Sequence, residues 1–240
     1  MTMDLIFILL ALGHIIGDFY CQPKTMAEKK YNSITWLCGH GLIYALCMAS
    51  VLAVGAEFSK NLVFLFLAVS ISHFVIDFLK RFVKWKRSII DQIAHFACIL
   101  VSWMIWGGEL HQTGYAFLNY SYLQKNAVLI VLGLLCILKP VGFMIEQGDI
   151  WNFDKGKSQQ NEMQKGAGKM IGYLERMIVY FLLLHGQFTA IAFVITAKSV
   201  ARFPEIGKEG EGRSQAEYFL IGTLLSMVSV LSITLLLGLI

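Results

Sequence analysis

The sequence predicts an all-α protein, a polytopic bundle of six to seven transmembrane helices. Hydrophobic residues make up 57% of the 240-residue chain and charged residues only 15%, whereas soluble domains carry about 25% charged residues. A helix needs roughly 20 apolar residues to cross a bilayer, and its backbone groups must be hydrogen-bonded within their own segment. On this basis the expected spans are residues 3–21, 35–55, 61–79, 89–107, 126–146, 171–197 and 216–239.

We expect one integral membrane domain over residues 1–240, with two halves. The first half, residues 1–108, contains four helices that carry His and Asp residues. The second, residues 125–240, contains further helices and two polar loops at 148–170 and 198–217. The loop 198–217 contains four Lys or Arg residues among four Glu residues although it would lie outside the cell. A re-entrant, interfacial or cytoplasmic placement with six spans therefore stays open.

The distribution of basic residues predicts that the N-terminus lies outside the cell. The loop at residues 80–87 contains five Lys or Arg residues and no acid, which is typical of a cytoplasmic loop. The next loop, residues 107–124, has no Lys or Arg. We therefore expect a multi-pass protein of the cytoplasmic (inner) membrane, in contact with the lipid bilayer. Its basic residues lie in loops and form no continuous basic face, which argues against nucleic acid as a partner.

Four of the predicted helices place His or Asp side chains at matching depths. The residues are His14 and Asp18, His40, His73 and Asp77, and Asp91 and His95. A spacing of four keeps both members of a pair on one helix face. His precedes Asp on the helices that run inward, and Asp precedes His on the helix that runs outward. Each Asp is therefore predicted to lie nearer the cytoplasm than the His of its pair. At 1.5 Å per residue, Asp77 lies ~5 Å and His73 ~10 Å inside Lys80.

This pattern is typical of a metal-binding or catalytic cluster. An ionisable residue inside a membrane span costs at least ~2.5 kcal/mol and therefore indicates function. All seven residues are candidate ligands, either for one metal surrounded by further carboxylates or for two metals sharing an aspartate. Imidazoles and carboxylates together favour Zn²⁺ or Mn²⁺ as the divalent metal. The alternative is a structural network of Asp–His hydrogen bonds between helices.

A metal-dependent hydrolase acting on a phosphate or ester substrate is the favoured function. Metal ions activate bound water and polarise substrate oxygens, and a carboxylate would act as general base. The candidate catalytic carboxylates are Asp18, Asp77, Asp91 and Glu175. Lys80, Arg81 and Arg176 are expected to attract an anionic lipid or a nucleotide.

Two other functional classes stay open, as does assembly into a homo-oligomer. One is a metal- or proton-coupled transporter, and the other is a non-catalytic subunit whose loop 148–170 docks a cytoplasmic partner protein. A transporter needs polar groups on both sides of its site. Outward of the His layer, however, the segments 5–12, 41–56, 62–72 and 96–108 contain no acid or base. His111 and His185 have no partner at helical spacing and are expected to be structural, His185 on an apolar face.

Sequence motifs in both halves of the chain are shared with a known family. They are His14-x-x-Gly17-Asp18-Phe19, His40, His73-x-x-x-Asp77, Asp91-Gln92-x-x-His95 and, later, Gly168-x-x-Ile171-Gly172-x-Leu174-Glu175-Arg176. Together they resemble an uncharacterised bacterial integral membrane family, domain of unknown function 3307, over nearly the whole chain. The resemblance implies a polytopic inner-membrane protein and no particular activity. A weaker likeness, over the first half, is to membrane-bound metal-dependent hydrolases.

Overall fold

The computed structural model describes residues 5–82, 88–110, 122–147, 162–201 and 211–240, and the regular secondary structure in these ranges is entirely helical. This confirms the prediction of an all-α fold. The helices are α1 (Leu5–Ile15), which continues into a π-helical turn (Ile16–Tyr20), α2 (Lys24–Lys29), α3 (Ile34–Gly55), α4 (Lys60–Lys80), α5 (Ser88–Leu110), α6 (Tyr122–Gln147), α7 (Glu162–Leu184), α8 (Phe188–Ala201) and α9 (Glu211–Leu236).

Within the described residues, four helices are long and apolar enough to cross a membrane. These segments are Ile34–Gly55, Lys60–Lys80, Ile89–Gly108 and Asn126–Glu146, and shorter apolar helices cover Leu5–Tyr20, Phe188–Val200 and Leu220–Leu236. Large apolar side chains face outward along these helices, as in Leu42 and Ile93, which are both 62% exposed. The chain is therefore a multi-pass membrane protein in contact with lipid. The total of six to seven spans and the external N-terminus stay predictions.

The predicted span at 171–197 is not one continuous helix. A turn at residues 185–187 separates α7 from α8, and Gly186 adopts a φ of 65° that favours glycine. The prediction that His185 lies on an apolar face is wrong, because this residue is exposed in the turn and its Nδ1 lies 2.8 Å from the Phe181 carbonyl oxygen.

Helices also extend into both predicted polar loops. Residues 162–170 begin α7, residues 198–201 end α8 and residues 211–217 begin α9. The remaining residues of these loops lie outside the described ranges, as does His111.

The chain forms two compact units, Met1–Leu132 and Gly133–Ile240. In the first unit α1, α3, α4 and α5 pack as a closed ring, in which each helix contacts the next and α5 returns to α1. Small residues allow close approach: a Cβ on Gly17 would lie 2.9 Å from the Tyr44 ring. In the second unit α7 packs against α8 and α9.

The ring of four helices has an apolar core over most of its length. Buried residues that fill it include Leu10 of α1, Met48 and Leu52 of α3, Leu65 of α4 and Ile99 of α5. In α1 and α4 these residues precede the predicted His–Asp pairs, and in α3 and α5 they follow the predicted His residues. Because neighbouring helices run in opposite directions, all of the His and Asp residues lie at the same end of the ring.

Candidate metal centre

The seven His and Asp residues predicted from the sequence meet at this end of the four-helix ring. Their side chains are buried, with at most 8% of any one exposed. They are His14, Asp18, His40, His73, Asp77, Asp91 and His95, and all lie in the first unit. Six of them form two groups of three. Within each group, the potential metal-ligand atoms lie within 4.8 Å of one another.

The first group consists of Asp18, His40 and His73. The Nε2 atoms of His40 and His73 are 3.2 Å apart. Asp18 Oδ1 lies 3.3 Å from the His40 nitrogen and 4.0 Å from the His73 nitrogen. The π-helical turn at the end of α1 carries Asp18, so this carboxylate reaches two imidazoles on α3 and α4.

The second group consists of Asp77, Asp91 and His95. His95 Nε2 lies 3.7 Å from Asp91 Oδ1 and 4.0 Å from Asp77 Oδ1. The other oxygen of Asp77, Oδ2, lies 3.2 Å from His40 Nε2 and 3.6 Å from His73 Nε2. Asp77 therefore lies between the two groups and has one oxygen near each.

The three aspartates share one hydrogen-bonding pattern. In each, Oδ2 accepts a hydrogen bond from a side-chain nitrogen, whereas Oδ1 is buried without a hydrogen bond from any described residue. The donors are Gln92 to Asp18 (2.9 Å), Lys30 to Asp77 (2.7 Å) and Lys80 to Asp91 (2.7 Å). The hydrogen bond to Oδ2 fixes the orientation of each carboxylate. Each Oδ1 lies 3.3 to 4.0 Å from an imidazole nitrogen, and the hydrogen-bonded Oδ2 of Asp77 also lies close to His40 and His73.

His14 differs from the other three histidines because both of its ring nitrogens have hydrogen-bonding partners. Nε2 lies 3.2 Å from Gln92 Oε1 and Nδ1 lies 3.2 Å from the Tyr44 hydroxyl. An amide oxygen only accepts hydrogen bonds, so His14 Nε2 donates and Nδ1 accepts from Tyr44. The resulting chain runs from Tyr44 through His14 and Gln92 to Asp18, and we describe it as the Asp18 relay.

Two lysines bring positive charge to the cluster and share one aromatic neighbour. The Nζ atoms of Lys30 and Lys80 lie 5.5 Å and 5.1 Å from the centre of the Tyr31 ring. Lys30 is only 4% exposed, and its Nζ also lies 3.8 Å from Asp18 Oδ1. Burial disfavours its charge, but Asp18 and Asp77 outweigh burial and raise the pKa of Lys30. The lysine is therefore charged at neutral pH.

Sequence reasoning missed Lys30, Gln92 and Tyr44 as members of the site. Tyr44 follows His40 by four residues, so the spacing rule that paired His73 with Asp77 could have found it. Its ring stacks on His73 with 3.6 Å between ring centres. Lys30 follows the short helix α2 in the connection between α1 and α3, where no periodic pattern marks it.

The other predicted site residues are engaged by neighbouring protein groups. Arg81 donates from Nε to the carbonyl oxygen of Tyr31 at 3.1 Å. In the second unit Glu175 forms an ion pair with Lys198, and Arg176 donates from Nε to the carbonyl oxygen of Ile137 at 2.6 Å. Both residues thus have structural contacts within their own unit.

Comparison with known proteins identifies a family for the part of the chain that holds the cluster. Residues 6–121 match the family described as protein of unknown function (DUF3307). All seven His and Asp residues of the cluster lie within this match. No curated protein and no solved structure matches the chain. None of these comparisons supports the likeness to membrane-bound metal-dependent hydrolases.

Proposed function

We propose that this protein, whose residues 6–121 match the DUF3307 family, is a metal-dependent hydrolase of the bacterial inner membrane. Its substrate is a phosphate or ester compound reached from the cytoplasm, with the N-terminus outside. One observation carries the proposal: three buried aspartate oxygens lack a hydrogen bond from any described residue, and each belongs to a group that contains imidazole nitrogens.

A divalent metal accounts for these oxygens better than a structural network does. Buried polar atoms in folded proteins are normally hydrogen-bonded, and leaving one unsatisfied costs about 1–3 kcal/mol. A purely structural network of Asp and His would be expected to satisfy Asp18, Asp77 and Asp91 on both oxygens. Mixed imidazole and carboxylate ligands favour zinc or manganese.

In this proposal the cluster residues have two roles, metal binding and proton transfer. Asp18, His40 and His73 would hold one metal ion, and such an ion would supply activation of water and polarisation of the substrate oxygen. An aspartate of the cluster accepts a proton from the attacking water, whose oxygen bonds to phosphorus or to the acyl carbon. The ester bond then breaks and the proton passes to the leaving oxygen.

We assign the general base to a cluster aspartate rather than to Glu175, whose carboxylate pairs with Lys198. Arg81, one of the basic residues of the segment 80–87, is proposed to attract an anionic substrate to the membrane surface. Arg176 donates to the Ile137 carbonyl oxygen, and we therefore propose a structural role for it.

The apolar core supports a hydrolase over a transporter. Beyond the cluster, the four-helix ring is filled by buried side chains such as Met48, Leu65 and Ile99. A transported ion would need polar groups along this part of its path. Apolar packing on one side of the cluster fits a reaction in which substrate and product both use the other side of the membrane.

Gln92→Ala is expected to weaken divalent metal binding about 10–100-fold, as is typical when a residue that orients a metal ligand is lost. The substitution removes the hydrogen bond that holds Asp18 Oδ2 and ends the Asp18 relay. Titration of the purified protein with Mn²⁺ measures the affinity. Gln187→Ala, which changes an exposed glutamine in the turn after α7, is the matched control, and equal affinities for the two variants would contradict the role assigned to Gln92.

The hydrolase is tested with two chromogenic probes, p-nitrophenyl phosphate and p-nitrophenyl butyrate. Detergent-purified protein is expected to release nitrophenol from at least one probe when Zn²⁺ or Mn²⁺ is supplied, and to lose this activity in EDTA. His73→Ala should abolish it, whereas His185→Ala should retain it. Bound metal without hydrolysis of either probe would contradict the hydrolase and leave the metal centre standing.

A further inference from the structure

We propose that the cluster holds two divalent ions bridged by Asp77, and that the pair acts on an anionic phosphate ester. One ion binds the Asp18–His40–His73 group, and the second binds Asp91 and His95 together with Asp77. This inference rests on the proposed metal centre. It adds the number of ions, the bridging residue and the class of substrate.

The number of ligand atoms exceeds what one ion uses. Catalytic zinc sites usually have three protein ligands and an open position for water or substrate. The cluster offers two separate groups of three, and no residue belongs to both. The rings of His73 and His95, one from each group, stack with 4.2 Å between their centres. The two groups are therefore neighbours, as a two-metal site with ions about 3.5–4 Å apart requires.

Asp77 is the residue placed to bridge the two ions. Its Oδ2 lies 3.2 Å and 3.6 Å from the Nε2 atoms of His40 and His73, in the first group. Its Oδ1 lies 4.0 Å from His95 Nε2, in the second group. Asp18 and Asp91 each face imidazoles of their own group. Lys30 donates to Asp77 Oδ2 and orients this carboxylate between the groups.

The charge of the site points to an anionic substrate. Three aspartates and the ammonium groups of Lys30 and Lys80 leave one negative charge on the cluster. Two divalent ions would change this to three positive charges, buried among apolar side chains. An excess of buried positive charge requires anions to balance it. A hydroxide and a phosphate ester supply such charge, and paired metals stabilise both the attacking and the leaving oxygen of a phosphoryl group.

Manganese loading provides a direct test. Two Mn²⁺ ions that share a carboxylate are magnetically coupled, so their electron paramagnetic resonance spectrum differs from the sextet of an isolated ion. We expect the full-length wild-type protein to bind two Mn²⁺ ions and to give a coupled spectrum. Asp77→Asn should convert it to isolated-ion signals, and Asp91→Asn should reduce the bound Mn²⁺ from two ions to one. Glu57→Gln, which changes an exposed acid at the other end of α3, should leave the coupled spectrum unchanged.

The results of the manganese experiment distinguish failure of the bridged metal pair from failure of the proposed metal centre. One isolated ion in the wild type would overturn the bridged pair and leave the metal centre intact, and this result requires no variant. A coupled spectrum that persists in folded Asp77→Asn protein would overturn the role of Asp77. Binding of neither Mn²⁺ nor Zn²⁺ by the wild type would overturn the proposed function itself. With the ions bound, inorganic phosphate should perturb the coupled spectrum of the wild type, and an unchanged spectrum would contradict the anionic substrate.

Discussion

Lys30→Met is expected to lower the free energy of unfolding by about 3–5 kcal/mol, the cost of removing one partner of a buried ion pair. The ammonium group lies 2.7 Å from Asp77 and 3.8 Å from Asp18, and the lysine is 4% exposed. Methionine keeps most of the apolar length of the side chain, so the loss comes mainly from the two carboxylates that remain buried without their counter-charge. Chemical unfolding of the metal-free protein in detergent measures the effect.

Two further variants test whether the lost stability comes from the aspartates left without a counter-charge. Lys24→Met removes an exposed lysine from α2, the short helix that precedes Lys30, and should change stability by less than about 0.5 kcal/mol. Adding Asp77→Asn to Lys30→Met should recover part of the lost stability, because replacing both partners of a buried pair is tolerated far better than removing one. Equal stabilities of Lys24→Met and Lys30→Met would show that the lysine does not compensate the aspartates.

The contribution of Lys30 to the free energy of unfolding should depend on pH only at high pH. The pKa of Lys30 is raised above its ordinary value of 10.5 because Asp18 and Asp77 outweigh the effect of burial. A lysine with a raised pKa in the folded state stabilises that state fully below its ordinary pKa. The difference between wild type and Lys30→Met should therefore be constant near neutral pH. It should decrease only as the pH rises through the raised pKa.

His73→Ala is expected to reduce the affinity for divalent metal at least about 100-fold, beyond the range typical of residues that only orient a ligand. The imidazole supplies one of the three ligand atoms of the first group. It also stacks on the rings of Tyr44 and His95, so its removal loosens the neighbouring group as well. His185→Ala makes the same substitution at an exposed position in the second unit and should leave the affinity unchanged.

The meeting of the His and Asp residues could be predicted from the sequence for two physical reasons. A spacing of four places His73 and Asp77 on one face of a helix. The reversed order of Asp91 and His95 on the helix that runs in the opposite direction keeps both pairs at the same end of the bundle. Helix geometry alone therefore sets the depth of each side chain, and the structure places these residues together accordingly.

Helix spacing alone could not predict which groups each of these side chains contacts. Whether His14 faces another imidazole or an amide depends on side-chain rotamers and on the close approach of α1 to α3 at Gly17, which spacing does not encode. Lys30 reaches the cluster from a connecting segment whose path has no periodic pattern. The break at Gly186 was not predicted because the turn is only three residues long, at 185–187, and apolar sequence continues on both sides of it.

The central claim is that the buried cluster holds a divalent metal ion, and elemental analysis of the detergent-purified protein tests it most directly. Wild type, His73→Ala and His185→Ala are purified side by side without chelator, with zinc and manganese supplied during growth, and their metal-to-protein ratios are measured. Wild type and His185→Ala should retain at least one zinc or manganese ion per chain, and His73→Ala should fall to the background level. Absence of a stoichiometric ion from the wild type, or equal metal content in all three proteins, would contradict the account.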